Sequence, residues 1–559
     1  MIYRCEFDRV HRAVRASGLA PELEELLNEN HTGRPRLLSM ELYLTGAILA
    51  AQRYQSTTQV TIHRVLTRDL ARSLRVQHGL IVDGSPVSLD QVRYLLDALC
   101  KKLTPADGDE AAGEDELLDR IADRIVRAFL APEFAAPREV AMDATAVKAF
   151  ARGKRRDPDP GPDADGAEAG DAPGGAEGGV VEVGPAADGF AAWGYCTRTQ
   201  DNCSSVAFGY AAHTIVGVPA VDADADGMPK LTVGLRLRPA NADVVEPGLS
   251  LLKAAADAAD AAGTAALKFG KRIRVMADRA WSNKRPERWA APARDLGADL
   301  VFDLSEADRG ALDHEGLLMV DGWPHCPSMP AHLRNVARPE RFKVSPLPAN
   351  PTLRQTRDHA RATADLARFT AQIAERDAYA FRRVAGPDAN GTERFECPAQ
   401  AGKVRCEACP LSQMLTGDLP EVDGPPEGQG VPTCCTQRTI TLRADVDAKR
   451  RQHLRWGTPE WIAAYLRRVY VEGTYGSLKS SSGANLRRGW CHARRKAKVT
   501  ILLACAIAAS NLALLRAWAK RTGNDDLPFC EADPPYHGFE ELDADGNIDR
   551  APEAPPPTG

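Results

Sequence analysis

Four side chains in the last quarter of the chain stand at spacings that bring them together. Tyr465, Arg468, Glu472 and Lys479 lie at offsets of 0, 3, 7 and 14. At about 100° per residue they fall within about 60° of one another, on one face of a single helix. An aromatic hydroxyl, two cations and a carboxylate on a shared face suit a surface that holds a phosphate backbone beside a metal ion. An exposed, solvated helix face is the alternative that spacing alone leaves open. Ile462, Leu466 and Val469 form a second stripe, expected to pack on a sheet. Upstream, Asp143 lies in a strand read over 139–150, and Asp278 follows a strand read over 272–276. Both aspartates are expected at or near strand tips, where α/β sheets tend to place chemistry. A plain strand-end or turn residue is the alternative for each.

Elements must hold these groups in place. With 559 residues the chain exceeds what one hydrophobic core supports, which predicts several domains or one domain with large insertions. Residues 1–135 show helical periodicity: Leu42, Ile48 and Leu49 in one run, Val92, Leu95, Leu96 and Leu99 in the next, then Leu117, Leu118, Ile121, Ile125 and Phe129. Ser88 followed by Gln91 has the form of a capping box. These features predict an all-helical N-terminal domain, within which residues 59–72 are a candidate reading helix of a helix-turn-helix; short helices joined by turns are the plainer reading. The strand carrying Asp143 opens a second region, 136–304. There two strands (206–216 and 231–237), the Pro239-Ala240-Asn241 turn, a helix over 245–262, the strand before Asp278, a helix and a strand over 299–302 predict a mixed α/β sheet. From 305 to 438 the periodicity weakens and Cys, Pro and Gly increase, which predicts an insertion rather than more sheet. Residues 439–521 return to the sheet with two helices. The apolar centre of the second, 499–515, is short for a membrane span and contains Ser510 and Asn511, so it is read as a buried core helix.

The formal charge of -5 hides segregation. Residues 157–189 hold nine acids and no Lys or Arg, and residues 522–559 hold ten acids against Arg550 alone. The remainder carries +13, concentrated between 438 and 521, where 18 Lys and Arg face four acids. A basic folded region with acidic appendages predicts a polyanion partner, most simply nucleic acid, with a solvated surface as the bland alternative. The two acidic segments cannot bury enough apolar surface to offset their ordering entropy and are expected to be disordered. A composition of 44% hydrophobic and 26% charged residues excludes a wholly disordered, collagenous or membrane-embedded chain. Thirteen cysteines are too sparse for a disulfide scaffold and residues 1–15 carry no apolar run like a secretory signal, so a reducing cytoplasm is expected.

The ungapped series Tyr465-x2-Arg468-x3-Glu472-x6-Lys479 resembles the Y-(2)-R-(3)-E-(6)-K pattern of bacterial insertion-sequence DDE transposases. Ala141-Met142-Asp143-Ala144-Thr145 and Val275-Met276-Ala277-Asp278-Arg279-Ala280-Trp281 are similar to that group's first and second aspartate motifs. The helical N-terminal region, the Pro239-Ala240-Asn241 turn and the closing helix with Asn511-Leu512 also resemble the family. Only 157–189 and the last forty or so residues fall outside the likeness. The resemblance implies an RNase H-like core, a mixed sheet flanked by helices and interrupted by the Cys-containing insertion. In it Asp143, Asp278 and Glu472 would bind two divalent cations, Mg²⁺ or Mn²⁺, with Asp143 bridging. It further implies that Arg468 and Tyr465 hold DNA phosphate near the cut and that Lys479 contacts the transposon end, with Arg487, Arg488, Arg494, Arg495, Lys496 and Lys498 extending the grip. The implied partners are double-stranded DNA, as terminal inverted repeats and target, and a second copy in a homodimer on paired ends. The implied location is the bacterial cytoplasm at the nucleoid, with no membrane. Independently of the likeness, hard oxygen ligands suit Mg²⁺, and two such ions about 4 Å apart can activate a water or 3′-hydroxyl and stabilise the leaving oxygen.

Some relatives stack a displaced base on an aromatic residue, for which Trp281, Trp323 and Trp490 are candidates, against the plainer reading of packed tryptophans. Cys397, Cys406-x2-Cys409 and Cys434-Cys435, with His325-Cys326 upstream, offer ligands for a structural Zn²⁺. A second CxxC is missing, and reduced cysteines packed in the insertion are the alternative. A catalytically inactive or domesticated DNA-binding descendant and a Mg²⁺-dependent nuclease on the same core are the competing functions. The intact carboxylate set argues against decay, while the acidic stretch after Asp143 departs from the family pattern.

Overall fold

The structure, a computed structural model, describes residues 2–28, 36–103, 111–151, 188–195, 206–220, 227–263, 273–388, 390–423, 433–480, 484–486 and 490–533. Nearly all of the acidic stretch 157–189, the chain beyond 533, and Arg487 and Arg488 lie outside the described residues. The N-terminal region forms α1 (Arg4–Ala16), α2 (Leu19–Asn28), α3 (Met40–Tyr54), α4 (Gln59–Arg64), α5 (Arg72–Gln77), α6 (Leu89–Lys102), α7 (Ala111–Val126) and α8 (Pro132–Ala135). A hairpin of β1 (Ile81–Val82) and β2 (Ser85–Pro86) interrupts the helices. Asp83 and Gly84, both at positive φ, make its two-residue turn. Helix α6 opens on the expected box: Gln91 N–H donates to Ser88 Oγ at 3.2 Å and Ser88 N–H to Gln91 Oε1 at 2.7 Å. Residues 59–72, in contrast, are not one helix. α4 gives way to a π turn over Val65–Asp69 and an extended Leu70. Ile62, Val65 and Leu66 are fully buried, and Asp69 accepts from the Tyr54 hydroxyl at 2.7 Å. Core packing and a buried polar anchor override the helical pattern here.

Strands β3 (Glu139–Lys148), β4 (Ala192–Tyr195), β5 (Val206–Gly217), β6 (Thr232–Pro239), β7 (Ile273–Ala277) and β8 (Ala298–Phe302) build a six-stranded mixed sheet. β3 with β5 and β5 with β6 pair antiparallel, whereas β7 and β8 add in parallel on the other side of β3. The order is β6–β5–β3–β7–β8, with β4 sharing the outer edge of β5 with β6. Helix α9 (Val245–Ala261) makes the crossover to β7, and α10 (Arg279–Ser282) with α11 (Ala290–Asp295) the crossover to β8. The mixed α/β sheet expected from the strand pattern is present.

The insertion contains β9 (Ala311–His314), β10 (Leu317–Val320), β11 (Trp323–His325), α12 (Leu353–Asp377), β12 (Arg382–Ala385), β13 (Glu393–Glu396), β14 (Arg405–Cys406), α13 (Pro410–Gln413), β15 (Glu421–Val422), α14 (Thr433–Thr436) and β16 (Thr439–Leu442). Its strands form three small sheets, none joined to the main one, around two small cores of their own. Strands of two to four residues are too short to show a period in the sequence.

Helices α15 (Pro459–Tyr465) and α16 (Val469–Lys479) then cover one face of the sheet, and α17 (Lys496–Thr522) packs against β6, α3 and α7. α17 is the one described helix long and apolar enough to cross a membrane, and most of it is buried inside the protein. Its Asn511 amide is fully used: it donates to the carbonyls of Val126 and Thr232 and accepts from Thr232 N–H. Through α17 the N-terminal helices and the sheet share a single hydrophobic core. A buried network reinforces that junction, with Arg236 on Asp123 at 2.8 Å and Arg238 on Asp119 at 2.6 Å and Glu246 at 2.8 Å. The expected disordered tail does not begin at 522. Cys530 is buried, Phe529 packs edge-on to Phe129, and Asp533 and Glu531 pair with Arg9, Arg12 and Arg516. Two of the tail's acids thus answer cations on α1 and α17.

Candidate active site

Asp143 is the fifth residue of a ten-residue strand, not its tip. It is still at an edge, because β7 pairs with β3 only from Glu139↔Arg274 to Ala141↔Met276. Just beyond the end of that pairing Asp143 and Asp278 come near enough for the charge of Asp278 to act on Asp143. There the chain leaves the sheet, and Asp278 caps α10 by accepting from Ala280 N–H at 2.7 Å. Asp143 Oδ1 accepts from Ala144 N–H at 2.7 Å. On its other side Asp143 pairs with Thr214 of β5. The Thr214 hydroxyl donates to Tyr475 Oη at 2.8 Å, and Tyr475 donates to the Asp143 backbone carbonyl at 2.5 Å. This hydroxyl relay pins α16 to β3 and so sets the height of Glu472, one turn before Tyr475, against Asp143.

The four spaced residues do not share one uninterrupted helix. A 3₁₀ turn over Leu466–Arg468 separates α15 from α16. Three of the four are nonetheless brought together. Arg468 lies 6.0 Å from the Tyr465 ring centre, with Nη2 2.5 Å from Glu472 Oε1 and Nη1 3.6 Å from Asp143 Oδ2. Tyr465 is stacked flat on Trp461, centroids 4.8 Å apart. Lys479 ends α16, exposed and two turns beyond Glu472, about 10 Å along the axis. The turn also breaks the apolar stripe: Ile462 and Leu466 are half-buried, but Val469 is 55% exposed, and Val471, Tyr475 and Leu478 face inward instead.

The electrostatics follow from this convergence. Asp143's carboxyl is pushed up to about 7, first by burial and then by the negative charge of Asp278, with Glu472 adding to the effect. Asp278 is raised as well, mainly by burial. Burial works against the charge of Arg468, but Tyr465, Glu472, Asp143 and Asp278 outweigh it and hold the guanidinium charged. Three carboxylates from three elements, two of them bridged by Arg468, make a centre that repels itself and offers only hard oxygen donors. Among the described residues no three His, Cys, Asp or Glu side chains stand close enough to hold one ion as they are placed. The Arg468 guanidinium spans Asp143 and Glu472 instead.

Other expected participants are placed elsewhere. Lys496 pairs with Asp115 of α7 and Lys498 with Asp97 of α6, turning both toward the N-terminal helices rather than toward a ligand. Arg494 and Arg495 are exposed. Trp281, Trp323 and Trp490 are all buried, which leaves none of them free to stack a displaced base. Cys326, Cys406 and Cys409 share a core with half-buried Cys397, and burial pushes Cys326 up to about 12 and Cys397 up to about 11. The Cys434 side chain lies outside what is described.

Sequence reasoning overlooked Tyr475, although its place three residues after Glu472 marks it as inward-facing. It also overlooked Asp303, just beyond β8, whose fully buried carboxylate is taken by Arg338 at 2.8 Å and the Trp456 indole at 3.0 Å. Comparison with family models, with curated proteins and with solved structures yields no match, so function is argued from these residues and their geometry.

Proposed function

We propose that the protein is a DDE transposase, which binds the terminal inverted repeats of an insertion sequence, cuts the DNA by hydrolysis and transfers the 3′-hydroxyl ends to target DNA, working as a homodimer on paired ends. The observation that carries the reading is the convergence of Asp143, Asp278 and Glu472 about Arg468. The sheet supports it: five strands in the order third, second, first, fourth, fifth, with only the second antiparallel to the first, are what an RNase H-like core requires.

The donor set fits a divalent pair, Mg²⁺ or Mn²⁺. The ligands are carboxylates, the hard oxygen donors such ions take, and burial followed by the charge of Asp278 pushes the Asp143 carboxyl up. Asp143, Asp278 and Glu472 would hold the ions, which when bound supply an activated water or hydroxyl and stabilise the leaving oxygen. Arg468 presents a planar fork of donors that suits a phosphate as well as it suits Glu472. Trp461 keeps Tyr465 flat beside it.

Incubation with Mg²⁺ and a DNA fragment bearing the element's ends, read on a denaturing gel, tests the reading. Cleavage is expected from the unaltered protein and not from Glu472→Gln or Asp278→Ala, while all three bind the ends. Cleavage that survives either substitution overturns the carboxylate assignment. Binding without cleavage by any of the three favours an inactive DNA-binding descendant.

A further inference from the structure

A groove of about 910 Å³ opens between the extended segment 337–348 and helix α12, both in the insertion. Its walls carry four arginines and His359 against Glu340, Asp358 and Asp365. Between 338 and 368 there are seven Lys and Arg against three acids. Helix α12 has 25 residues yet buries only Phe369, Ile373 and Arg376, all in its C-terminal third. Its first four turns are mostly exposed, with Leu353 at 92%, and one side of them lines the groove. Exposed polar turns that extend beyond a helix's buried anchor suit a ligand or a bridging role.

The acids on this helix neutralise little. Arg354–Asp358, Arg361–Asp365 and Arg368–Asp365 are exposed pairs at 3.6 to 3.8 Å, the kind that contributes almost nothing and yields readily to a better anion. Among the described residues Lys343 and Arg357 have no carboxylate partner. Arg338 and Phe369 of the groove meet, through Phe342, the ring cluster that carries Tyr465. Phe342 packs against Tyr465 at 6.1 Å, Trp461 at 5.2 Å and Phe369 at 5.7 Å, and the Arg338 guanidinium lies 4.6 Å over Phe342.

We propose that this groove and the basic side of α12 hold the sugar-phosphate backbone of duplex DNA next to the cutting site. The proposal rests on the DNA-cutting reading above and adds a surface outside the 438–521 region, where the sequence concentrates its basic excess. The 16 residues of α12 before Phe369 span about 24 Å, roughly two-thirds of a turn of B-form DNA, so this exposed part can follow a backbone over that distance. Exposed guanidinium and ammonium groups lose little hydration when they meet phosphates, and such contacts carry no base preference.

The test is a triple variant, Arg341→Ala, Lys343→Ala and Arg357→Ala, on three exposed side chains outside the carboxylate site. The full-length proteins are titrated into a labelled duplex of arbitrary sequence, in EDTA, at several salt concentrations. Loss of three phosphate contacts should flatten the log–log salt dependence by roughly 2.7 and weaken binding on the order of tenfold or more at moderate salt. The groove assignment is overturned if the triple variant keeps both affinity and salt slope while the unaltered protein binds and cuts DNA. It is overturned equally if the variant loses self-association but not DNA binding, since the groove would then seat a second copy. An unaltered protein that binds no duplex at all sinks the transposase reading together with this one.

Discussion

Asp143→Asn removes a charge from the centre of the site while keeping its shape, because the amide oxygen can still accept from Ala144 N–H. In the folded protein the Asp143 carboxyl titrates at about 7, against about 3.9 in an unfolded chain. Roughly three units at 1.36 kcal/mol each put the cost of the anion at about 4 kcal/mol as an upper bound. The side chain is 19% exposed and the variant gives up the 3.6 Å contact with Arg468, which together reduce the expected net gain to about 2 kcal/mol. The sign is set by the direction of the shift. A raised carboxyl contributes stability that is fully present below pH 4 and is lost as pH rises through about 7, so the unaltered protein should fall behind the variant across that window. Urea unfolding in EDTA at pH 8 and at pH 4.5 measures this: the variant should be more stable at pH 8, and the gap should close at the lower pH. Added Mg²⁺ should stabilise the unaltered protein more than the variant, which should not cut DNA at all. Equal stability at pH 8, or a gap that widens on acidification, would refute the argument that like charge and burial strain this centre.

Two other substitutions probe the supports of the site. Tyr475→Phe breaks the hydroxyl relay between Thr214 and the Asp143 carbonyl; stability should drop by about 1–2 kcal/mol and the cleavage rate should fall with end binding unchanged, whereas an unaffected rate would show that α16 is placed by packing alone. Truncation after Gly523 strips Asp533 and Glu531 from Arg9, which is only 4% exposed, and takes Cys530 out of its core. A loss of about 2–4 kcal/mol in urea unfolding is expected from the stranded cation, and an unchanged midpoint would show that the acidic segment docks without energetic consequence.

Much of the scaffold was legible because it is local. The strands around Asp143 and Asp278, helix α9 and the buried α17 lie within a few residues of where apolar runs and breakers put them, and the Ser88/Gln91 box opens α6 as its spacing predicts. Such patterns reflect backbone geometry over a few residues. The legible part of the site was likewise its local part, the succession Tyr465, Arg468 and Glu472. Where long-range contacts act on a segment, the local reading fails. Residues 59–72 break at a π turn because their apolar side chains and Asp69 are claimed by the core, and Val469 points outward because a 3₁₀ turn shifts the phase of α16.

The sequence by itself determined which residues have the chemistry of this site and on what kinds of element they ride: two aspartates beside strands, Tyr465, Arg468 and Glu472 in a helical stretch, and a basic excess between 438 and 521. The tertiary structure alone decided that Asp143, in the middle of its strand, comes near Asp278. That depends on the register of β3 with β7, set by contacts between residues well over a hundred positions apart. It also decided that Arg468 spans Asp143 and Glu472, that Lys496 and Lys498 are already paired, and that most of helix α12 in the insertion stays exposed. Pairings of that kind rest on packing and Coulomb interactions between distant segments, and no periodicity in the chain encodes them.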